Sequence, residues 1–286
     1  MRRILILGLV LFATLAGAIG WRIGGDLVAP VQRLVGPPPV ELGAETIVFP
    51  SLSGSVIHGW FSRGSVGRGA VLLLHGVRAD RRDMLSRSEF LHRLGYSVLL
   101  IDFQAHGESP GRHITFGALE SRDVAAALEF LRRQLPGDRI GVVGVSLGAA
   151  SFVLADNRSP VDAVVLESMY PTIEQAVADR LRLHIGPVGP ILSPLLMIQL
   201  GLRLGIDAKQ LRPIDKIGLI GAPVLVMSGT LDRHTTIQEA RQLFSAAMEP
   251  KEFWEVEGAA HVDLHRFAAA EYERRVSGFL ARYLDK

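Results

Sequence analysis

From residue 70 onward the chain alternates two hydrophobic patterns. A continuous apolar run at Ala70-Val71-Leu72-Leu73-Leu74 and predominantly apolar segments at 97–101, 140–143, 162–166 and 223–227 are what strands buried on both faces require. Helical segments separate the earlier runs, over 81–94, 117–135 and 147–155. Upstream, Thr46–Phe49 and Val56–Phe61 predict an antiparallel pair across the turn-rich Pro50-Ser51-Leu52-Ser53-Gly54, and Phe253-Trp254-Glu255-Val256 predicts a short late strand. The pattern predicts an α/β fold, a mostly parallel central sheet with helices on both faces.

Two regions depart from this alternation. Residues 168–221 form a connection too long for a plain loop, which predicts an inserted helical cap. Its middle, 185–198, is strongly apolar but holds Pro187, Pro190 and Pro194, which argues against a membrane-spanning helix there. Either the cap simply packs on the sheet domain, or its apolar surface lines a lipophilic pocket and rests on a bilayer. At the other end, Met1-Arg2-Arg3 precedes an uncharged stretch from Ile4 to Trp21, so residues 1–21 read as a transmembrane anchor or a signal peptide. The run continues past the Ala16-Gly17-Ala18 cleavage motif, which favours an uncleaved single-pass anchor in the inner (cell) membrane. Arginines at the start keep that end inside and put the rest on the non-cytoplasmic side; a clipped leader would give a secreted or periplasmic protein. Residues 22–44, with Gly24-Gly25, Pro30 and Pro37-Pro38-Pro39, read as a connector to a globular domain over 45–286.

Composition changes this picture little. A chain of 286 residues buries one large core, and a net charge of +2 leaves no basic footprint for nucleic acid. Absence of cysteine excludes disulfides and thiolate chemistry.

Chemistry concentrates at strand ends. Gly144-Val145-Ser146-Leu147-Gly148 joins an apolar strand to a small-residue helix, the G-x-S-x-G turn that lifts a nucleophilic serine above a sheet. Such a serine needs an acid and then a base downstream. Asp232, after the strand 223–227, and His261, after 253–256, stand in that order. Asp232 could instead cap the next helix, and His234 and His265 compete as bases, but His265 lies within a helical pattern and His234 sits beside the acid. The turn His75-Gly76-Val77 after strand 70–74 predicts an oxyanion hole from the N–H groups of Val77 and Leu147. His75 reads as an anchor of that loop, and Asp102 with His106 as a brace.

Taken together, HGV at 75–77, D-x-x-x-H-G-E-S from Asp102 to Ser109, GVSLG at 144–148, SGTLD ending at Asp232 and GAAHVD from Gly258 resemble the α/β-hydrolase superfamily over about residues 45–284. The chain looks most like bacterial esterase/lipase-like serine hydrolases with an N-terminal hydrophobic segment. Two departures stand out: Gln104-Ala105 where many relatives carry Arg-Gly, and Ala149 where a further glycine often follows the elbow. The resemblance implies an ester hydrolase working through an acyl-enzyme on Ser146, with no cofactor or metal and an ester or lipid as substrate. Thioesterase, acyltransferase and peptidase activity share that machinery, and a non-catalytic lipid- or partner-binding relative is the remaining alternative.

Overall fold

The computed structural model describes residues 2–156 and 159–285, with the side chains of 2–13 and 16 outside the described set. The arginine-led start of the apolar segment and Ala16 of the cleavage motif fall among those side chains. Eight strands build one sheet: β2 (Glu45–Pro50), β3 (Val56–Ser62), β4 (Ala70–Leu74), β5 (Ser97–Ile101), β7 (Ile140–Val145), β8 (Ala163–Glu167), β9 (Val224–Gly229) and β10 (Lys251–Val256). A two-stranded parallel pair, β1 (Val31–Gln32) with β6 (His106–Gly107), stands apart. Spatial order in the large sheet is β10-β9-β8-β7-β4-β5-β3-β2. Only β2 and β3 run antiparallel to their neighbours.

The apolar runs are explained by a core on each face, since successive side chains of a strand point to opposite sides. Leu72, Leu74, Leu99 and Ile101 enter one core with α3 (Glu120–Gln134), α4 (Leu147–Leu154) and α7 (Ile237–Ala246). Val71, Leu73, Val98 and Leu100 enter the other, with α2 (Leu85–Arg93), α8 (Leu264–Phe267) and α9 (Ala269–Leu284). The expected helix over 81–94 is a short turn at Arg81–Met84 followed by α2, because Asp80 caps the turn by accepting from the Arg82 N–H.

Two segments differ from the sequence reading. Helix α1 spans Arg2–Val28, past the expected end at Trp21. The segment after it is no free connector: Val31 pairs with His106, and Val35 and Gly36 donate to Glu108 Oε1 at 3.1 and 3.0 Å. Its partners lie more than 70 residues away, and the prolines at 37–39, which lack N–H groups, mask a segment that is otherwise hydrogen-bonded.

The cap comprises α5 (Ile173–Ile185), a 3-10 segment (Gly186–Leu192) and α6 (Ser193–Leu204). Residues 173–204 are long and apolar enough to cross a membrane, but the chain folds back on itself. A Cβ on Gly189 would lie 2.4 Å from the Leu181 carbonyl, an approach that only glycine allows. One side of the cap packs on the sheet domain through Ile173, Leu200, Ile206 and Leu211 against Leu154. The other side bares Val188, Ile191, Leu195, Ile198 and Leu202, each 57–73% exposed. Helix α1 docks on α6: Gln199 donates to the Gly20 carbonyl at 2.9 Å, and the Arg203 guanidinium sits 3.7 Å over the Trp21 ring. Exposed Leu15, Ile19, Ile23 and Leu27 recur every fourth residue and so form one apolar stripe on α1.

Candidate active site

Ser146 occupies the turn between β7 and α4 with φ 49° and ψ −107°, a strained backbone for a residue with a Cβ. The elbow glycines have a steric cause. A Cβ on Gly144 would lie 2.7 Å from Ala149 N, and one on Gly148 would lie 2.3 Å from Leu74 O. The Ser146 N–H is held by Glu167 O at 2.8 Å, which pins the turn to the end of β8. Of the five non-glycine residues with left-handed φ among those described, Arg78, Ala105, Ser146 and Ser168 belong to loops around this point.

Asp232 and His261, expected as acid and base, meet. His261 Nδ1 donates to Asp232 Oδ2 at 2.7 Å, with the carboxylate fully buried and the imidazole 23% exposed. Asp232 Oδ1 accepts from the His234 and Thr235 N–H groups at 2.8 and 3.0 Å, and Oδ2 also accepts from the Thr235 hydroxyl at 3.0 Å. Although burial opposes it, hydrogen bonding to His261 and its charge hold the Asp232 pKa below the ordinary value. Helix α7 is capped by Thr236 with Glu239, so Asp232 is not its cap. No hydrogen bond joins Ser146 Oγ to His261 among the described residues; the serine sits on the same sheet edge, at the carboxyl end of β7, two strands from β9. His265 is turned to Glu273 at 3.1 Å.

The His75-Gly76-Val77 loop lies against the elbow, with Gly76 positioned so that a Cβ would touch Ser146 Cβ at 3.9 Å. Val77 follows it, and Leu147 is the first residue of α4, where backbone N–H groups lack helical acceptors. His75 is an anchor: its Nε2 accepts from the Phe103 N–H at 3.2 Å, so Nδ1 carries the proton and donates to Gly76 O at 2.7 Å. Burial, then the nearby His106, lowers its pKa from 6.5 to about 3. Stability from keeping His75 neutral is therefore complete above about pH 6.5 and is lost as pH falls toward 3. Asp123, pushed up from 3.8 to about 7 by burial, acts oppositely, its contribution fading as pH rises toward 7. Urea unfolding at pH 7 and pH 5 should show a smaller acid-side loss in His75→Gln than in the parent chain; equal losses would contradict this assignment.

Asp102 does not pair with His106. It accepts from Arg81 N at 2.7 Å and from the Arg81 guanidinium, and Arg81 also reaches Glu108, so the loop braces the site. Gln104 takes up local bonding, donating to Glu120 Oε1 at 2.7 Å and His113 O at 2.8 Å. Ala105 has φ 61°, a conformation that costs an alanine about 1 kcal/mol. Ala105→Gly should raise stability by about that amount in urea unfolding; unchanged or lower stability would show the strain is absent.

Sequence reasoning missed two supports. Buried Arg87 on α2 bonds Glu167 at 3.0 and 2.6 Å, Tyr272 OH at 3.2 Å and Asp263 at 2.9 Å, linking the end of β8, whose Glu167 carbonyl accepts from the Ser146 N–H, to the loop that carries His261. The only signal was an acidic residue ending an apolar strand. Arg78, next to Val77, donates to Asp26 O at the end of α1 at 3.0 Å, and Arg33 donates to Arg78 O at 2.6 Å. Nothing local in the sequence marks that contact.

A profile of the alpha/beta hydrolase family matches residues 71–275. An uncharacterized protein of Mycobacterium tuberculosis is 34% identical over 221 residues, covering 76% of this chain and 72% of the relative. The uncharacterized YqkD of Bacillus subtilis is 26% identical over 250 residues, covering 86% and 82%. The Pyrococcus furiosus esterase Pf2001 superposes with a TM-score of 0.73 at 25% identity, covering 90% of this chain and 98% of that structure.

Proposed function

The chain belongs to the alpha/beta hydrolase family, a membership that supports a hydrolase, and from that premise we propose a serine hydrolase cleaving carboxylic esters through an acyl-enzyme on Ser146. The carrying observation is the bond from His261 Nδ1 to a buried Asp232 on the sheet edge where Ser146 occupies its strained turn. With Nδ1 committed to the carboxylate, the other ring nitrogen is the free base for the serine proton. The Val77 and Leu147 N–H groups then receive the tetrahedral oxyanion, each worth about 3 kcal/mol. His261 returns the proton to the leaving alcohol and activates the water that releases the acid.

Lipophilic acyl substrates are supported by the bare apolar side of the cap and by the stripe on α1 that docks beside it. In this reading the N-terminal segment anchors the chain in the membrane, with the hydrolase domain on the non-cytoplasmic side, and the cap faces the bilayer that supplies the ester. The test is hydrolysis of short- and long-chain p-nitrophenyl esters. Ser146→Ala should lower kcat by roughly 10,000-fold or more at unchanged fold. Serine at 191, 195, 198 and 202 should selectively lower cleavage of long chains. Retained turnover in the first variant rejects the nucleophile; an unchanged chain-length profile in the second rejects the lipophilic substrate.

A further inference from the structure

Residues 26–36 lie along the loops that follow β4 and β5 and bond to both. Val31 and Arg33 donate their N–H groups to Ala105 O and Gly107 O, each at 2.8 Å, and Val35 and Gly36 reach Glu108. On the loop after β4, the Arg33 guanidinium donates to Arg78 O at 2.6 Å and stands 3.4 Å from the buried Asp80 carboxylate. Arg81 donates to Gly36 O at 3.3 Å, and Arg78 donates to Asp26 O at 3.0 Å. Asp26 lies in the last turn of α1, where carbonyls have no helical N–H ahead of them and a cation meets the negative end of the helix dipole.

These bonds converge on residue 78. Its φ of 62° is left-handed, a conformation that a residue with a Cβ holds only where its surroundings impose it. Arg33 holds its carbonyl, and α1 holds its side chain. Val77 comes directly before it, and on the other side Gly76 O is fixed by His75 Nδ1 at 2.7 Å and by the Ala79 N–H at 3.3 Å. Val77 therefore stands between two pinned residues, in the loop that lies against Ser146. Arg33 and Arg78 are themselves exposed, so their bonds add little to stability. What they do fix is the position of the turn.

We propose that residues 26–36 form a strap that sets the position of the Val77 N–H, with Arg33 and Arg78 as positioning residues for the oxyanion hole, so that the seat of α1 feeds into turnover. This rests on the serine-hydrolase reading above. A displaced donor loses its grip on the tetrahedral oxyanion while the flat ester still binds, so the strap acts on kcat and leaves KM.

The experiment uses the full chain with Arg33→Met and Arg78→Met, which remove the donors and leave a residue with a Cβ in the left-handed turn. On p-nitrophenyl butyrate each should lower kcat by about tenfold, with KM changed by less than about twofold. The Ki of a trifluoromethyl ketone, which forms a tetrahedral oxyanion adduct on a serine, should rise by the same factor. The midpoint of thermal unfolding should move by less than about 3 °C. Arg33→Lys and Arg78→Lys should shift kcat and Ki together by a smaller factor, since an ammonium keeps one bond where the guanidinium offers a fork. Unchanged kcat and Ki in either methionine variant overturns the strap while leaving the serine-hydrolase reading standing. So does a fall in kcat with Ki unchanged, which a smaller active fraction would give. If the parent cleaves no ester and Ser146 resists fluorophosphonate, the underlying reading fails, and the strap with it.

Discussion

Asp232→Asn is expected to lower kcat by about 10,000-fold with little loss of fold. The asparagine oxygen can replace Oδ1 and keep the His234 and Thr235 N–H bonds, which fix the turn. Its amide nitrogen then stands where Oδ2 now accepts from His261 Nδ1. Two donors cannot face each other, so the imidazole must present Nδ1 as an acceptor and carry its proton on the other nitrogen. That tautomer cannot take the serine proton. Steady-state kinetics on a p-nitrophenyl ester, with circular dichroism as the fold control, checks it. A loss below about tenfold would mean that Asp232 does not orient the base.

Arg87→Met is expected to cost about 3–5 kcal/mol of stability, because it leaves the Glu167 carboxylate buried without its cation. Glu167 is 1% exposed and would retain only the Tyr272 hydroxyl. A loss of that size in a chain of this length lowers Tm by on the order of 10 °C. The double variant Arg87→Met/Glu167→Gln removes the orphaned charge and should recover part of the loss, as a double-mutant cycle would show. Activity should also fall in the folded single variant, since Glu167 O holds the Ser146 N–H and Asp263 is two residues from His261. A shift below about 1 kcal/mol would show the network to be solvated in solution.

Much of this site is legible in the chain because its chemistry is local. The glycines flanking Ser146 are required by contacts within the same strand-turn-helix and with the adjacent strand, so a five-residue motif records them. Asp232 follows a strand whose apolar run is visible by itself, and His261 follows a short strand marked by Phe253 and Trp254. The supports are different in kind. Arg87 finds Glu167 80 residues away, and β1 finds β6 across some 75 residues, and hydrophobic periodicity carries no information about partners. The proline-rich stretch 37–39 reads as a spacer because it lacks donors, while the donors that matter, Val35 and Gly36, lie just before it. The bend at Gly189 belongs to the same class, since only the fold reveals what a Cβ there would strike.

The central claim is that Ser146 is a nucleophile activated by His261. Its most direct measurement is the intact mass and peptide map of the full chain after exposure to a fluorophosphonate, run beside His261→Ala. The account requires one covalent adduct, on the peptide containing Ser146, formed at least about a hundredfold more slowly without the imidazole. An unlabelled Ser146, an adduct on another residue, or equal labelling rates in the two chains would contradict it.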